Sequence, residues 1–230
     1  LRVYFLGSGD IAVPTLAALL ANSKIQFVGC GTQPDRPQGR KRKLTATAVG
    51  QYAAAHGIEA DKPDSVNTAD FRRRLASLQP DLILVFAFGQ ILTEALLDLP
   101  PLGCINIHAS LLPRYRGASP VHAAILAGDK ETGITIMKMT KGLDSGPVYD
   151  QRRLALNGSE DAGTLSEKLG QLAADHVCDI LTAIAAGALA PQPQDEALAS
   201  LARKLRKKDG LIDWTESATQ IERKVRAFRP

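Results

Sequence analysis

Short apolar runs alternate with amphipathic stretches along this chain. Residues 3–6 form an apolar strand. Residues 12–20 read as a helix with Pro14 in its first turn, where the missing N–H has no partner to lose. A second strand is expected over 25–30. Residues 45–56 read as a helix closed by Gly57, and 67–78 as another, with Asn67 as N-cap and Asp70 at the third helical position. The run 82–86 is apolar throughout, the pattern of a strand covered on both faces. A helical segment is expected over 92–97 and a strand over 104–108. This repetition predicts an α/β fold with a doubly wound, mostly parallel sheet.

The pattern then changes. Residues 134–139 alternate strictly and 148–156 loosely, which suits later strands, antiparallel ones at a sheet edge. Residues 165–186 make a long Ala/Leu-rich helix ending near Gly187. Pro191-Gln192-Pro193-Gln194 opens a linker, and an amphipathic helix runs from about Thr219 to Phe228. The expected division is a main domain at 1–188, a linker at 189–210, and at 211–230 the beginning of a C-terminal domain. That tail is too short to form a core of its own.

Composition narrows the class. Of the 230 residues 45% are hydrophobic, enough for a core and too many for a disordered chain. The formal charge is +4, from 28 basic and 24 acidic residues. The excess is clustered in Arg40-Lys41-Arg42-Lys43, Arg72-Arg73-Arg74 and the run 203–208, which suggests a polyanionic partner. Cys30, Cys104 and Cys178 are scattered, without metal-site or CxxC spacing, so no metal is expected. Cys30 and Cys104 lie in apolar runs and read as buried thiols of a cytoplasmic protein. No run approaches the length of a membrane span, and no membrane association is expected.

Three motifs carry chemistry. Gly7-Ser8-Gly9-Asp10-Ile11-Ala12 fits a dinucleotide-binding turn, but the next strand ends in Cys30-Gly31-Thr32-Gln33, without the acidic residue that would hold a ribose. A tight strand-to-helix turn needing glycine flexibility is the plainer explanation. In the strand 104–108, Ile105 and Ile107 point one way, Asn106 and His108 the other. Two hydrogen-bond donors at the carboxyl end of a strand can stabilise charge developing on a carbonyl oxygen. Gly142-Leu143-Asp144-Ser145-Gly146 is a tight loop that is either a plain turn or the carrier of a carboxylate beside His108, where it would orient the imidazole. Asn, His and Asp suit acyl transfer. No nucleophile accompanies them, since Ser110 lacks a nucleophile elbow, so the substrate is expected to supply it.

These residues also carry a resemblance. Asn106-x-His108, then Ser110-Leu111-Leu112-Pro113-x-x-Arg116-Gly117, then Gly142-x-Asp144-x-Gly146 resemble the folate-dependent formyltransferases. Within them the chain is most similar to the members acting on methionyl initiator tRNA. Supporting segments are Gln33-Pro34-Asp35-Arg36-Pro37, 88–92, 128–133 and Ile212-Asp213-Trp214. The resemblance implies a Rossmann-like formyltransferase fold and formyl transfer from 10-formyltetrahydrofolate to the methionine α-amino group. Asn106, His108 and Asp144 would be catalytic. Ser110, Leu111, Leu112, Pro113, Phe88, Gly89, Gln90 and Ile91 would hold the folate. Arg40, Lys41, Arg42 and Lys43 would contact tRNA, with the arginine that reads the acceptor end left open. It also implies a C-terminal β-barrel, of which 211–230 would be the start, and a monomer is expected.

Other readings stay open on the sequence. The acceptor could be glycinamide ribonucleotide or a sugar nucleotide, although the basic loop and Ile212-Asp213-Trp214 favour tRNA. A nicotinamide oxidoreductase rests on Gly7 and Gly9 alone. A non-catalytic RNA-binding chain rests on the short tail.

Overall fold

The computed structural model describes residues 1–38 and 42–229. Its centre is a six-stranded sheet. Strands β1 (Arg2–Gly7), β2 (Gln26–Gly31), β5 (Leu82–Phe86) and β6 (Cys104–His108) are parallel; β7 (Glu131–Lys138) and β8 (Val148–Ala155) follow antiparallel, in the order β2-β1-β5-β6-β7-β8. The antiparallel edge expected from the alternation is present. A separate ladder pairs β3 (Arg36–Gln38) with β4 (Lys43–Thr45). The sequence pattern gave no sign of this ladder, and its pairing takes Thr45 out of the following helix. That helix, α2 (Ala48–Ala55), starts at the Thr47 cap, whose hydroxyl accepts from Gly50 N–H at 3.0 Å.

Alternate residues of the central strands feed two cores, the period-2 signature of a sheet covered on both faces. Val3, Phe5, Leu84, Phe86, Ile105 and Ile107 meet α1 (Val13–Ala21) and the long α6 (Ala162–Ala185) on one side. Tyr4, Leu6, Ile83, Val85 and Cys104 meet Phe71 and Leu75 of α3 (Ala69–Leu78) and Leu96 and Leu97 of α4 (Glu94–Leu97) on the other. Cys30 and Cys104 are buried free thiols, and burial pushes them up to about 11 and about 12. Asn67 is not the cap of α3. Thr68 is, accepting from Phe71 N–H, while the Asn67 side chain ties the Ile91 carbonyl and Thr93 instead.

One helix escaped the sequence reading. α5 (Pro120–Ala127) is apolar except for His122, with little amphipathic period to mark it, and it packs against α7 (Ala218–Phe228). The end of the chain therefore lies on the main body: Ala227 is buried in its core, and Arg226 Nη1 donates to the Glu160 carbonyl at 2.7 Å. Among the described residues no helix is long and apolar enough to cross a membrane.

Candidate active site

In the strand order, β1 connects to β2 on one side and lies against β5 on the other. The order of connection thus reverses between β1 and β5, and open α/β sheets bind ligands beyond the carboxyl ends of strands near such a point. A cavity of about 630 Å³ lies beyond the ends of β5 and β6, lined by Ile11, by residues 85–92, by residues 106–109, and by the segments 117–122 and 139–144. That is the size range of a drug-sized ligand site. The structure brings Asn106, His108, Asp144, Phe88, Gly89, Gln90 and Ile91 together on this wall. Ser110, Leu111, Leu112 and Pro113 are not on it. Arg40 and Lys41 lie outside the described residues, and Arg42 and Lys43 are exposed at the start of β4.

His108 is held more firmly than the sequence implied. Its Nε2 lies 2.8 Å from the Tyr115 carbonyl, which can only accept, so Nε2 carries a hydrogen. Nδ1 is then the ring atom able to take or give a proton. It faces Asp144 Oδ2 at 3.6 Å, too long for a direct hydrogen bond. The ring orientation expected from Asp144 is therefore supplied by Tyr115. Asp144 has φ 45°, a left-handed backbone that a Gly-flanked turn accommodates, and its Oδ2 accepts Gly117 N–H at 2.8 Å. Gly146 permits the close approach: a Cβ there would fall 1.8 Å from the Lys138 carbonyl oxygen. Asn106 sits half-buried one pleat before His108, and its amide makes no hydrogen bond among the described residues. A free amide donor beside a basic imidazole nitrogen and a carboxylate can stabilise an oxyanion and accept a proton.

The segment 110–113 serves as scaffold. Thr135 stands directly opposite His108 across β6 and β7, with Gln151 opposite Thr135 on β8. Thr135 Oγ1 donates to the Ser110 carbonyl at 2.6 Å and accepts from Leu112 N–H at 3.0 Å. Gln151 Nε2 donates to the Leu112 carbonyl at 2.7 Å and to Thr135 Oγ1 at 3.0 Å. Ser110 is fully buried, its hydroxyl donating to the Arg114 carbonyl at 2.6 Å, and Leu112-Pro113 is cis. The loop that presents the Tyr115 carbonyl is thus pinned from below. Sequence reasoning missed Thr135 and Gln151. The signal was present in the polar positions of two alternating runs, but only strand register aligns them with His108.

The cavity wall also offers backbone groups. Among the described residues the N–H groups of Phe88, Gly89 and Gln90 and the carbonyls of Gly89 and Gln90 make no hydrogen bond. The Gln90 side chain is occupied, accepting from Val66 N–H and donating to the Pro63 carbonyl. The turn after β1 is occupied as well: Gly9 N–H donates to the Ala87 carbonyl at 3.3 Å, and Ser8 Oγ donates to the Phe88 carbonyl at 3.2 Å. Its glycines close the β1/β5 contact, as the plain turn reading predicts.

The family model described as "Formyl transferase" matches residues 1–181, and "Formyl transferase, C-terminal domain" matches 204–230. The chain belongs to the formyl transferase family. Two relatives, from Roseiflexus sp. and Pseudoalteromonas translucida, are 46% and 44% identical over all 230 residues. Both are named methionyl-tRNA formyltransferase, and this chain spans 71% of the length of each. The N-formyltransferase of Helicobacter canadensis, solved with folinic acid and dTDP-3-aminofucose, shares the fold at TM-score 0.73. It is 19% identical and the match covers 98% of this chain and 80% of that one. Formyl transfer is therefore the reaction class of the family to which the chain belongs.

Proposed function

We propose that this formyltransferase moves a formyl group from 10-formyltetrahydrofolate to the α-amino group of methionyl initiator tRNA. The relatives named methionyl-tRNA formyltransferase, matched over this whole chain at 44–46% identity, support the acceptor. The family and its motifs support the folate. The single observation that carries the site assignment is the convergence of Asn106, His108 and Asp144 on one cavity with no nucleophile among them. The substrate amine is that nucleophile. The residues fit a folate: the cavity is large enough for a fused bicyclic ring, and the unpaired backbone donors and acceptors of 88–90 match the alternating edge of such a ring.

The amine attacks the formyl carbon and a C–N bond forms. The carbonyl oxygen gains charge, and the Asn106 amide stabilises it. His108 Nδ1 takes the proton that the amine loses, and the Asp144 carboxylate facing it favours the resulting imidazolium. As the tetrahedral species collapses, the bond to the folate nitrogen breaks and that nitrogen takes a proton. Ser110, Leu111, Leu112 and Pro113 act in this scheme by holding the Tyr115 carbonyl on His108. The basic loop, Arg40 to Lys43, contacts tRNA phosphates and splayed bases. In domain terms, 1–188 form the catalytic unit, 189–210 connect it, and 211–230 open the C-terminal domain. The enzyme is assigned to the cytoplasm as a monomer.

Single-turnover formylation with charged initiator tRNA, run beside glycinamide ribonucleotide as competing acceptor, tests this. Transfer to the tRNA alone is expected. Transfer to the ribonucleotide, or to neither, refutes the acceptor assignment.

A further inference from the structure

The Pro191-Gln192-Pro193-Gln194 stretch, expected to open a linker, is bound to both loops of the active site. It lies between the two segments that the family models match. Val148 and Gln192 pair through both backbone bonds, at 2.7 and 2.8 Å, which brings the chain along the β8 edge. Gln194 then reaches in two directions. Its Nε2 donates to the carbonyls of Asp144 at 2.9 Å and Gly146 at 2.7 Å. Its Oε1 accepts from Arg116 Nε at 3.0 Å and Nη2 at 2.8 Å. Arg116 is 7% exposed, and its remaining donors go to Glu196 at 2.7 and 2.8 Å.

The strap continues past Glu196. Ser200 N–H donates to the Pro113 carbonyl, Arg116 N–H to the Ser200 carbonyl, Tyr115 N–H to Ser200 Oγ, and Ala202 N–H to the Arg116 carbonyl. Gly117 has φ 112° and is packed so closely that a Cβ would fall 2.7 Å from the Ala202 carbonyl oxygen. The two loops that the strap joins are the ones that face His108: Tyr115 takes its Nε2, and Gly117 N–H takes Asp144 Oδ2. The Gln194 side chain joins the carbonyls of the Asp144 turn to the Arg116 guanidinium. It thereby ties that turn to the loop whose Gly117 N–H receives the Asp144 carboxylate.

We propose that Gln194 is a positioning residue for formyl transfer, holding the Asp144 carboxylate against His108 by bridging Arg116 to the carbonyls of Asp144 and Gly146. This rests on the reading of Asp144 and His108 given above. Gln194 does not line the cavity and acts through Asp144. The two halves of its contact set separate chemically. Glutamate at this position keeps its acceptor for Arg116 but sets an oxygen against two carbonyl oxygens.

The test is Gln194→Glu in the intact protein. A misplacement of about an ångström at a catalytic group costs on the order of 10²-fold, so kcat is expected to fall by about ten- to a hundredfold. KM for the folate donor and for tRNA is expected to stay unchanged, the mark of an interaction that acts on the reacting centre rather than on binding. In an Asp144→Asn background the same change is expected to cost nothing further, because residues acting through one group are non-additive. The ¹⁵N resonance of His108 Nδ1 is expected to move in Gln194→Glu in the direction it moves in Asp144→Asn. That readout needs no turnover, so it holds even if the acceptor assignment fails. Unchanged kcat, a full additive loss in the Asp144→Asn background, or an unmoved His108 resonance overturns the proposal.

Discussion

Thr135→Val isolates the scaffold under the active-site loop. Valine keeps the β-branched shape and replaces the hydroxyl by a methyl. Thr135 is fully buried, so water cannot stand in for the lost oxygen. Two backbone groups lose their partner: the Ser110 carbonyl, held at 2.6 Å, and Leu112 N–H, held at 3.0 Å. Gln151 loses one contact but keeps the Leu112 carbonyl at 2.7 Å. Orphaned buried polar groups cost about 1–3 kcal/mol each, so the expected loss is about 2–6 kcal/mol. For a domain of this size that lowers Tm by about 4–24 °C. Thr135→Ser keeps the hydroxyl and removes one methyl, for about 1 kcal/mol. The assay is denaturant unfolding of both variants with unchanged m-value, together with kcat. kcat should fall in the valine variant, because the loop it loosens carries the Tyr115 carbonyl that holds His108. If valine proves as stable as serine, the pinning argument is wrong.

Asn106→Ala removes the free amide donor of the cavity, and kcat should fall by about 10²–10³-fold with donor KM little altered in steady-state formylation. Asp144→Asn keeps the shape of the turn and one acceptor for Gly117 N–H, yet removes the charge facing His108 Nδ1; kcat should fall while the thermal midpoint stays near that of the unaltered protein. Glu160 gives a pH prediction. Burial raises its carboxyl, but the Lys168 ammonium at 2.8 Å and the backbone N–H groups of Glu160 itself and Asn157 outweigh this and hold it down to about 2. Its folded value lies below its unfolded one, so the stabilisation is full above about pH 4.5 and is lost as pH falls toward 2, for about 3 kcal/mol in all. Glu160→Gln should flatten that part of the acid-unfolding curve followed by circular dichroism, and an unchanged curve would remove Glu160 from the account.

Much of the architecture was legible because it rests on local periodicity. The uninterrupted apolar run 82–86 appears with those bounds, since a doubly covered strand leaves no room for polar positions, and the strand 104–108 does so with its polar Asn106 and His108 toward the end that opens on the cavity. Helix starts were less legible. Thr47 and Thr68 cap α2 and α3 in place of earlier residues, because Thr45 is drawn into the β3–β4 ladder and Asn67 into the 91–93 loop. α5, apolar but for His122, had no amphipathic stripe to announce it.

The same division holds in the active site. Alternation put Asn106 and His108 on one side of a strand end, while the Gly-flanked turn left Asp144 either a plain turn or a carboxylate beside His108; the structure brings all three to one cavity. Register and long-range packing were not readable. The row His108, Thr135, Gln151 exists only once β6, β7 and β8 are paired, and the Tyr115 carbonyl reaches His108 only after the loop folds back. Gln194 lies 78 residues from Arg116 along the chain, and nothing local ties them. The sequence by itself determined which groups could do acyl chemistry and which strands would carry them, because both depend on spacing. Tertiary structure decided which ring nitrogen of His108 is free and what holds Asp144 in place. Those depend on hydrogen bonds between segments that meet only when the sheet is complete.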